Sequence, residues 1–180
     1  MSNFNDFVSS FINDHAILST ISQDLSIPDD PLFNDFSLNV SNKIFYFDPS
    51  SLLNFNNWTW LRSFFTKKFA NLPGYKIISV NEHEFSLMSK NGIDFDFLLS
   101  QESTFVIIHE TKVVTILSKD LDKKTVLQVP HLDEIDIISS VGAGDAFNAG
   151  LLLEFSKSFD IVSACTNGIT IAQKSLTNSF

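Results

Sequence analysis

A ten-residue stretch, residues 141–150, reads Val-Gly-Ala-Gly-Asp-Ala-Phe-Asn-Ala-Gly and lies between two apolar runs. The run before it, residues 135–138, predicts a strand, and the run after it, residues 151–155, predicts a helix. Two glycines around a small alanine allow the backbone to turn tightly and a ligand to approach it closely. The stretch therefore predicts a strand, a tight turn and a helix in succession.

The turn has the features of an anion-binding site. The amides at the start of a helix have no intrahelical partner, and the helix dipole adds about half a positive charge there. Gly142, Ala143 and Gly144 supply such amides, and Asp145 lies just inside the helix with a charged carboxylate that can accept a proton. The same residues also suit a plain turn before a helix with an ordinary acidic first turn. The residues by themselves leave both interpretations open, and they match neither a Walker A loop nor a G-x-G-x-x-G fingerprint.

Apolar runs alternate with helical periodicities along the rest of the chain. We predict strands at residues 43–48, 76–80, 104–109, 112–117 and 125–129, the third and fourth forming a hairpin. We predict helices at residues 4–12, at residues 57–71, around residues 85–88 and, with a face of small side chains, at residues 161–172. Residues 1–40 are the least defined segment, and residues 41–180 form the predicted domain. The order predicts an α/β fold with a mostly parallel sheet, helices on both faces and an antiparallel hairpin at one edge.

Polar side chains follow two of the predicted strands. Asn81 and Glu84 follow strand 76–80, and side chains three apart at a helix start lie on one face. They suit either a shared ligand or a capping box, in which each side chain accepts from the other's amide. Asp48 follows strand 43–48 at the carboxyl end, where open α/β sheets bind ligands, or it simply ends the strand.

Composition and charge exclude several classes of function. The net charge of −9 argues against a nucleic-acid binder, which needs clustered Lys and Arg. A single cysteine, Cys165, excludes an internal disulfide, and no apolar run approaches the roughly 18 residues that span a bilayer. The N-terminus does not have the pattern of a signal peptide, so we expect a soluble, cytoplasmic protein. The four histidines lack metal-ligand spacing, and there is no G-x-S-x-G nucleophile motif.

Residues 141–150 closely resemble the C-terminal signature of the PfkB, or ribokinase-like, carbohydrate kinases, G-A-G-D-x-F-x-x-G. Residues 81–84, Asn-Glu-His-Glu, resemble the family's N-x-x-E motif and precede the signature in the same order. Within the family, residues 47–51 are similar to the F-E-P-T-S stretch of pseudouridine kinases, and residues 172–177 fit their last helix. The resemblance extends from about residue 44 to near the C-terminus, so we expect a ribokinase-like sheet that is incomplete at its N-terminal side.

The resemblance implies ATP-dependent phosphoryl transfer to a hydroxyl of a small-molecule sugar or nucleoside. Asp145 would be the general base, and the amides of residues 142–144 would form the anion hole. Asn81 and Glu84 would bind the nucleotide with Mg²⁺, Glu84 acting on the ion through water. Asn167 would face the adenine, although a core amide satisfied by the protein is the alternative.

Three departures from the family support a second hypothesis. Residues 108–113, Ile-His-Glu-Thr-Lys-Val, replace the T-L-G-x-x-G nucleotide loop and contain neither glycine, and Ser139-Ser140 replaces Asp-Thr. The N-terminal portion that supplies the lid and most sugar contacts has no counterpart. The second hypothesis is therefore a non-catalytic kinase remnant that acts as a binding module, or a truncated reading frame. Missing strands would expose an edge and an apolar face, so we expect self-association, or a fused or complementing N-terminal half.

Overall fold

The computed structural model describes residues 16–19, 44–49, 58–121 and 123–177, and the structural statements below concern these residues. They contain six strands: β1 (Ala16–Ser19), β2 (Ile44–Asp48), β3 (Tyr75–Asn81), β4 (Thr104–His109), β5 (Val113–Ser118) and β6 (Lys123–Gln128). Their α-helices are α1 (Trp58–Lys67), α2 (Glu82–Lys90), α3 (Phe95–Leu99), α4 (Ala143–Ser158) and α5 (Ile161–Thr177). The predicted helix at residues 4–12 lies outside the described residues.

The strands form one mixed sheet in the order β1-β2-β3-β4-β5-β6. Strands β1 to β4 are parallel, whereas β5 runs antiparallel to β4 and β6 antiparallel to β5. The α-helices α1, α2 and α3 lie in the crossovers between parallel strands, as such connections require. The predicted α/β fold, with its mostly parallel sheet and a hairpin at one edge, is confirmed.

Successive side chains of the strands point to opposite faces of the sheet and pack into two separate hydrophobic cores. On one face of β2, Phe45 and Phe47 pack in a core with α1, α2 and α3. On the other face, Ile44 and Tyr46 pack in a second core that contains α4 and α5. The rings of Phe47 and Phe65 meet edge to face, with centroids 4.9 Å apart. Both faces of the sheet are therefore covered, which explains why the parallel strands are nearly continuous apolar runs.

Two glycines allow α4 and α5 to pack closely. A Cβ at Gly150 would lie 2.9 Å from the side chain of Ile171 and 3.1 Å from the Cα of Gly168. A Cβ at Gly168 would lie 2.8 Å from the carbonyl oxygen of Phe147 and 2.9 Å from its ring. The last glycine of the 141–150 stretch therefore serves the contact between two helices and not the turn.

The predicted strand at residues 135–138 is wrong. A short 3₁₀ turn covers Glu134–Asp136, Ile135 is 92% exposed and Ile138 is 70% exposed. The Ile138 amide donates to the Leu176 carbonyl, 2.9 Å away at the end of α5, and thus has no sheet partner. Within the described part of the chain, no helix is both long and apolar enough to cross a bilayer.

Candidate functional site

The glycine-rich turn lies directly before α4. Gly142 has φ 83° and ψ 0°, a left-handed conformation that L side chains rarely adopt, and the helix begins at Ala143. The Ala143 amide donates to the Ser140 carbonyl over 3.3 Å, so the turn itself uses one of the three predicted anion-hole amides. The amides of Gly144 and Asp145 have no acceptor among the described residues. The open donors of the first turn therefore include these two.

Asp145 is the acidic residue of this first turn, and its side chain is exposed. An acidic side chain at this position interacts favourably with the positive end of the helix dipole. An exposed, charged carboxylate beside open amides can accept a proton from a group that binds at the turn. This geometry is compatible with the predicted role of Asp145.

Asn81 and Glu84 form a capping box at the junction of β3 and α2. The Glu84 amide donates to Asn81 Oδ1 over 2.8 Å, and the Asn81 amide donates to Glu84 Oε2 over 2.9 Å. Burial raises the pKa of the Glu84 carboxyl, and the hydrogen bond from the Asn81 amide opposes this rise. The capping interpretation therefore holds, and it leaves the second carboxylate oxygen of Glu84 outside the box.

A cleft of about 740 Å³ opens beside the turn, bounded by the end of β3, the β4–β5 hairpin and both long helices. Its volume lies within the usual range for small-molecule sites. Apolar side chains form much of its wall: Val114, Val129, Ile137, Phe147, Ile169, Ala172 and Leu176. Polar or charged groups from four regions also face it: Asn81, Glu82, His83, His109, Glu110, Thr111, Lys112, Ser140 and Gln173. Ala143 and Gly144 reach the cleft from the turn.

His109 is a cleft residue that the motifs did not identify. It ends β4 opposite Asn81, and its ring lies 5.4 Å from that of Phe147. Its Cε1 atom is 3.8 Å from the position of a Cβ at Gly144, so the imidazole borders the turn. Burial lowers the pKa of His109, which favours a neutral ring. The alternation of β4 is the signal that could have found it, because His109 shares a face with the buried Ile107.

The structure does not bring Asn167 to this cleft. Its amide donates to the Gly150 carbonyl over 2.7 Å, which fits the alternative of a satisfied core amide. Asn167 lines a separate shallow pocket between α4 and α5, together with Glu154 and Thr170.

A buried polar bridge lies under α4 close to Asp145. Ser79 Oγ donates to Asn148 Oδ1 over 2.7 Å, and Asn148 Nδ2 donates to Asp48 Oδ2 over 2.8 Å. The nearby Tyr46 hydroxyl is buried without a hydrogen-bond partner among the described residues. Burial, and then the charge of Asp48, raise the pKa of Tyr46, and an interaction with the Ser79 side chain opposes part of this rise, so the phenol stays neutral. Sequence reasoning missed this bridge because its members lie 69 and 100 residues apart.

The predicted Mg²⁺ site can be tested against these groups. No cluster of three His, Cys, Asp or Glu side chains suited to a metal occurs in the described part of the chain. Mg²⁺ that binds with a nucleotide usually keeps several waters and needs only one or two protein carboxylates. The half-buried Glu84 does not itself line the cleft, but it is hydrogen-bonded to Asn81, which does, and a single carboxylate of this kind fits the second mode and not an all-protein cage.

Residues 38–179 match the model of the pfkB family of carbohydrate kinases. A comparison with curated proteins gave no match. Among solved structures, the chain is similar to the nucleoside kinase of Methanocaldococcus jannaschii, with a TM-score of 0.62 and 20% identity over 91% of this chain and 49% of that one. It is equally similar to the ribokinase of Thermotoga maritima, with a TM-score of 0.62 and 20% identity over 91% of this chain and 50% of that one.

A third structure, the nucleoside kinase of Burkholderia thailandensis in complex with inosine, gives a TM-score of 0.59 and 23% identity over 89% of this chain and 48% of that one. The chain thus spans about half the length of these three proteins. They share its ribokinase-like fold, and the family model covers most of the chain, including both sequence motifs. The chain therefore belongs to the pfkB family of carbohydrate kinases.

Proposed function

We propose that the chain forms the nucleotide-binding and base-bearing part of an ATP-dependent kinase that phosphorylates a hydroxyl of a sugar or nucleoside. The observation that carries the proposal is the cleft of about 740 Å³ that meets the first turn of α4. Its apolar wall suits a flat base such as adenine, and the open amides of Gly144 and Asp145 suit phosphate oxygens.

The reaction divides among groups of this chain. Asp145 accepts the proton of the acceptor hydroxyl while the hydroxyl oxygen bonds to the γ-phosphorus and the bond to the β-phosphate oxygen breaks. The amides at the turn stabilise the charge on the transferring group, which is the main requirement in phosphoryl transfer. Asn81 and Glu84 would hold Mg²⁺ together with the nucleotide phosphates, Glu84 through water, and the ion would neutralise phosphate charge.

For the acceptor, we propose pseudouridine as the first compound to test. The similarity of residues 47–51 to the F-E-P-T-S stretch of pseudouridine kinases supports this choice, and so does the fit of residues 172–177. The nucleoside kinase with inosine supports the wider class of nucleoside acceptors, since its fold is similar to that of this chain.

Substituting Asp145→Asn tests the base assignment. It keeps the size of the side chain but removes its basicity, so we expect kcat to fall by about 10²–10⁴-fold while Mg-ATP binding stays close to that of the wild type. A coupled ADP-release assay with pseudouridine, inosine, adenosine and ribose measures turnover, and calorimetry measures nucleotide binding. Asp96→Asn is the matched control, since Asp96 is also an exposed acid in a first helical turn. Wild-type turnover in the Asp145 variant would refute its role as base.

A specific observation favours a second candidate, a binding module without catalysis. Glu110 lines the cleft as an exposed carboxylate, at a position where the resembling family has a glycine beside the nucleotide. A carboxylate there repels phosphate. No detectable heat with millimolar Mg-ATP in calorimetry, together with no ADP release for any acceptor, would support this candidate over the kinase.

A further inference from the structure

The bridge under α4 joins three elements through a single amide. Asn148 belongs to α4, Ser79 to β3 and Asp48 to β2. The Asn148 amide accepts from Ser79 over 2.7 Å and donates to Asp48 over 2.8 Å, so both of its ends are engaged. Ser79 is 0% exposed and Asn148 is 7% exposed. Water therefore cannot replace the bond to Ser79 without entering the core, whereas the bond to Asp48 is part-buried.

The position of the bridge relates it to the first turn of α4. Asp48 ends β2, and Ser79 lies two residues before the end of the adjacent parallel strand β3. Asn148 follows Asp145 by three residues, which places the two side chains within about one turn of the same helix. The two bonds to different strands therefore set both the height and the rotation of this turn above the carboxyl edge of the sheet.

The surroundings make the bridge hard to replace. Among the described residues, the buried Tyr46 hydroxyl next to it makes no hydrogen bond of good geometry, and the neighbouring side chains of this core are mostly apolar. Hydrogen bonds are stronger in such a medium, and one to a charged carboxylate is about twice as strong as a neutral one. An apolar side chain at position 148 would leave Ser79 and Asp48 without these bonds.

We propose that Asn148 is a positioning residue, which holds the first turn of α4 and with it Asp145 and the open amides in place over β2 and β3. Its effect on turnover rests on the proposed kinase function of Asp145. Its effect on the order of the turn is independent of that function, so the effect on turnover and the effect on order can be measured separately.

Three variants test the bridge in the full chain. Asn148→Leu removes both bonds at similar size, and Ser79→Ala removes one with little risk to folding. The double variant Asp48→Asn with Asn148→Asp exchanges amide and carboxylate, so that residue 48 donates to residue 148 while Ser79 still has an acceptor. Asn91→Leu is the matched control. The side-chain amide of Asn91 also donates a part-buried hydrogen bond, to the Leu87 carbonyl, but it lies at the C-terminal end of α2, away from the turn.

Hydrogen exchange read by mass spectrometry measures the order of the turn without any substrate. We expect faster exchange in peptides spanning residues 142–147 for Asn148→Leu, a smaller increase for Ser79→Ala, and recovery in the exchanged pair. Where the wild type turns over, kcat should fall about 10–100-fold in Asn148→Leu with little change in the KM for ATP.

The outcomes separate the two proposals. If no acceptor is phosphorylated by the wild type, the kinase proposal fails, and the exchange data alone decide whether Asn148 positions the turn. Unchanged exchange at residues 142–147 in Asn148→Leu and Ser79→Ala would overturn the positioning role, active enzyme or not. Equal loosening of the turn by Asn91→Leu would also overturn it, because the effect would then reflect general destabilisation.

Discussion

At the scale of single residues, the Tyr46 hydroxyl is an exception to the pairing of buried polar groups. Among the described residues its oxygen is buried without a hydrogen bond of good geometry, although Ser79 interacts with it, and its raised pKa keeps the proton in place at ordinary pH. The adjacent Ser79 hydroxyl donates to Asn148 instead. An unpaired buried hydroxyl costs roughly 1–3 kcal/mol relative to a paired one. The ring of Tyr46 therefore stabilises the core, and its hydroxyl opposes that effect.

Replacing Tyr46 by Phe should leave the free energy of unfolding unchanged or raise it by up to about 1 kcal/mol, because the ring stays and the unpaired group is removed. Urea denaturation followed by circular dichroism measures the change. Tyr75→Phe is the matched control, since Tyr75 is less buried and contacts the Phe155 ring, and it should shift stability by less than about 0.5 kcal/mol. A loss of more than 1 kcal/mol in Tyr46→Phe would show that the hydroxyl has a partner in solution.

At the scale of secondary-structure elements, the contact between α4 and α5 links the stability of the fold to the cleft. Phe147 lies in the contact through its carbonyl and ring, and it also lines the cleft beside His109. Any group that pushes Phe147 away from α5 therefore moves it toward the cleft. Gly168 is the position where this can be tested.

Gly168→Ala should destabilise the protein by about 1–3 kcal/mol, because its Cβ would lie 2.8–2.9 Å from three atoms of Phe147. In a chain of this length that corresponds to a fall in Tm of several degrees, which scanning calorimetry measures. Thr170→Ala, an exposed change on the same helix, should have little effect. If Gly168→Ala were as stable as the wild type, α4 and α5 would have to be further apart than described here.

The elements also show how far the sequence predicts the structure. The predicted strands at residues 43–48 and 76–80 and the hairpin are confirmed because their apolar runs are buried on both faces. The run at residues 135–138 is also rich in isoleucine, but Ile135 and Ile138 are exposed and Ile137 lines the cleft, and no local pattern distinguishes this run from the buried strands. β1 and α3 were not predicted, since four and five residues are too short for a clear period.

At the candidate site, the two sequence motifs predicted only the geometry that involves neighbouring residues. The left-handed turn at Gly142 and the capping box of Asn81 and Glu84 involve neighbouring residues, and the sequence contains their whole signature. The polar bridge and the cleft wall depend on how distant segments pack, as with His109 against Phe147. The local geometry of the turn and of the capping box could therefore be predicted, but the groups that surround them could not.

At the scale of the whole molecule, exposed apolar side chains and net charge have opposite effects on association. Ile135, Ile138 and Val141 are 92%, 70% and 87% exposed in the segment before the turn. Several exposed apolar side chains within one short segment favour contact with another surface. The net charge of −9 opposes contact between two copies, and salt screens that repulsion.

We therefore expect self-association that increases with ionic strength. Light scattering should give a larger mean mass at 1 M NaCl, where charges are screened beyond about 3 Å, than at 0.1 M, where screening extends over about 10 Å. The double substitution Ile135→Ser with Ile138→Ser should abolish most of this increase, whereas Leu153→Ser, at an exposed position on α4, should not. Association that falls with salt would show that charge pairs and not apolar contacts hold the copies together. A monodisperse monomer at both salt concentrations would show that the exposed isoleucines do not bring two copies into contact.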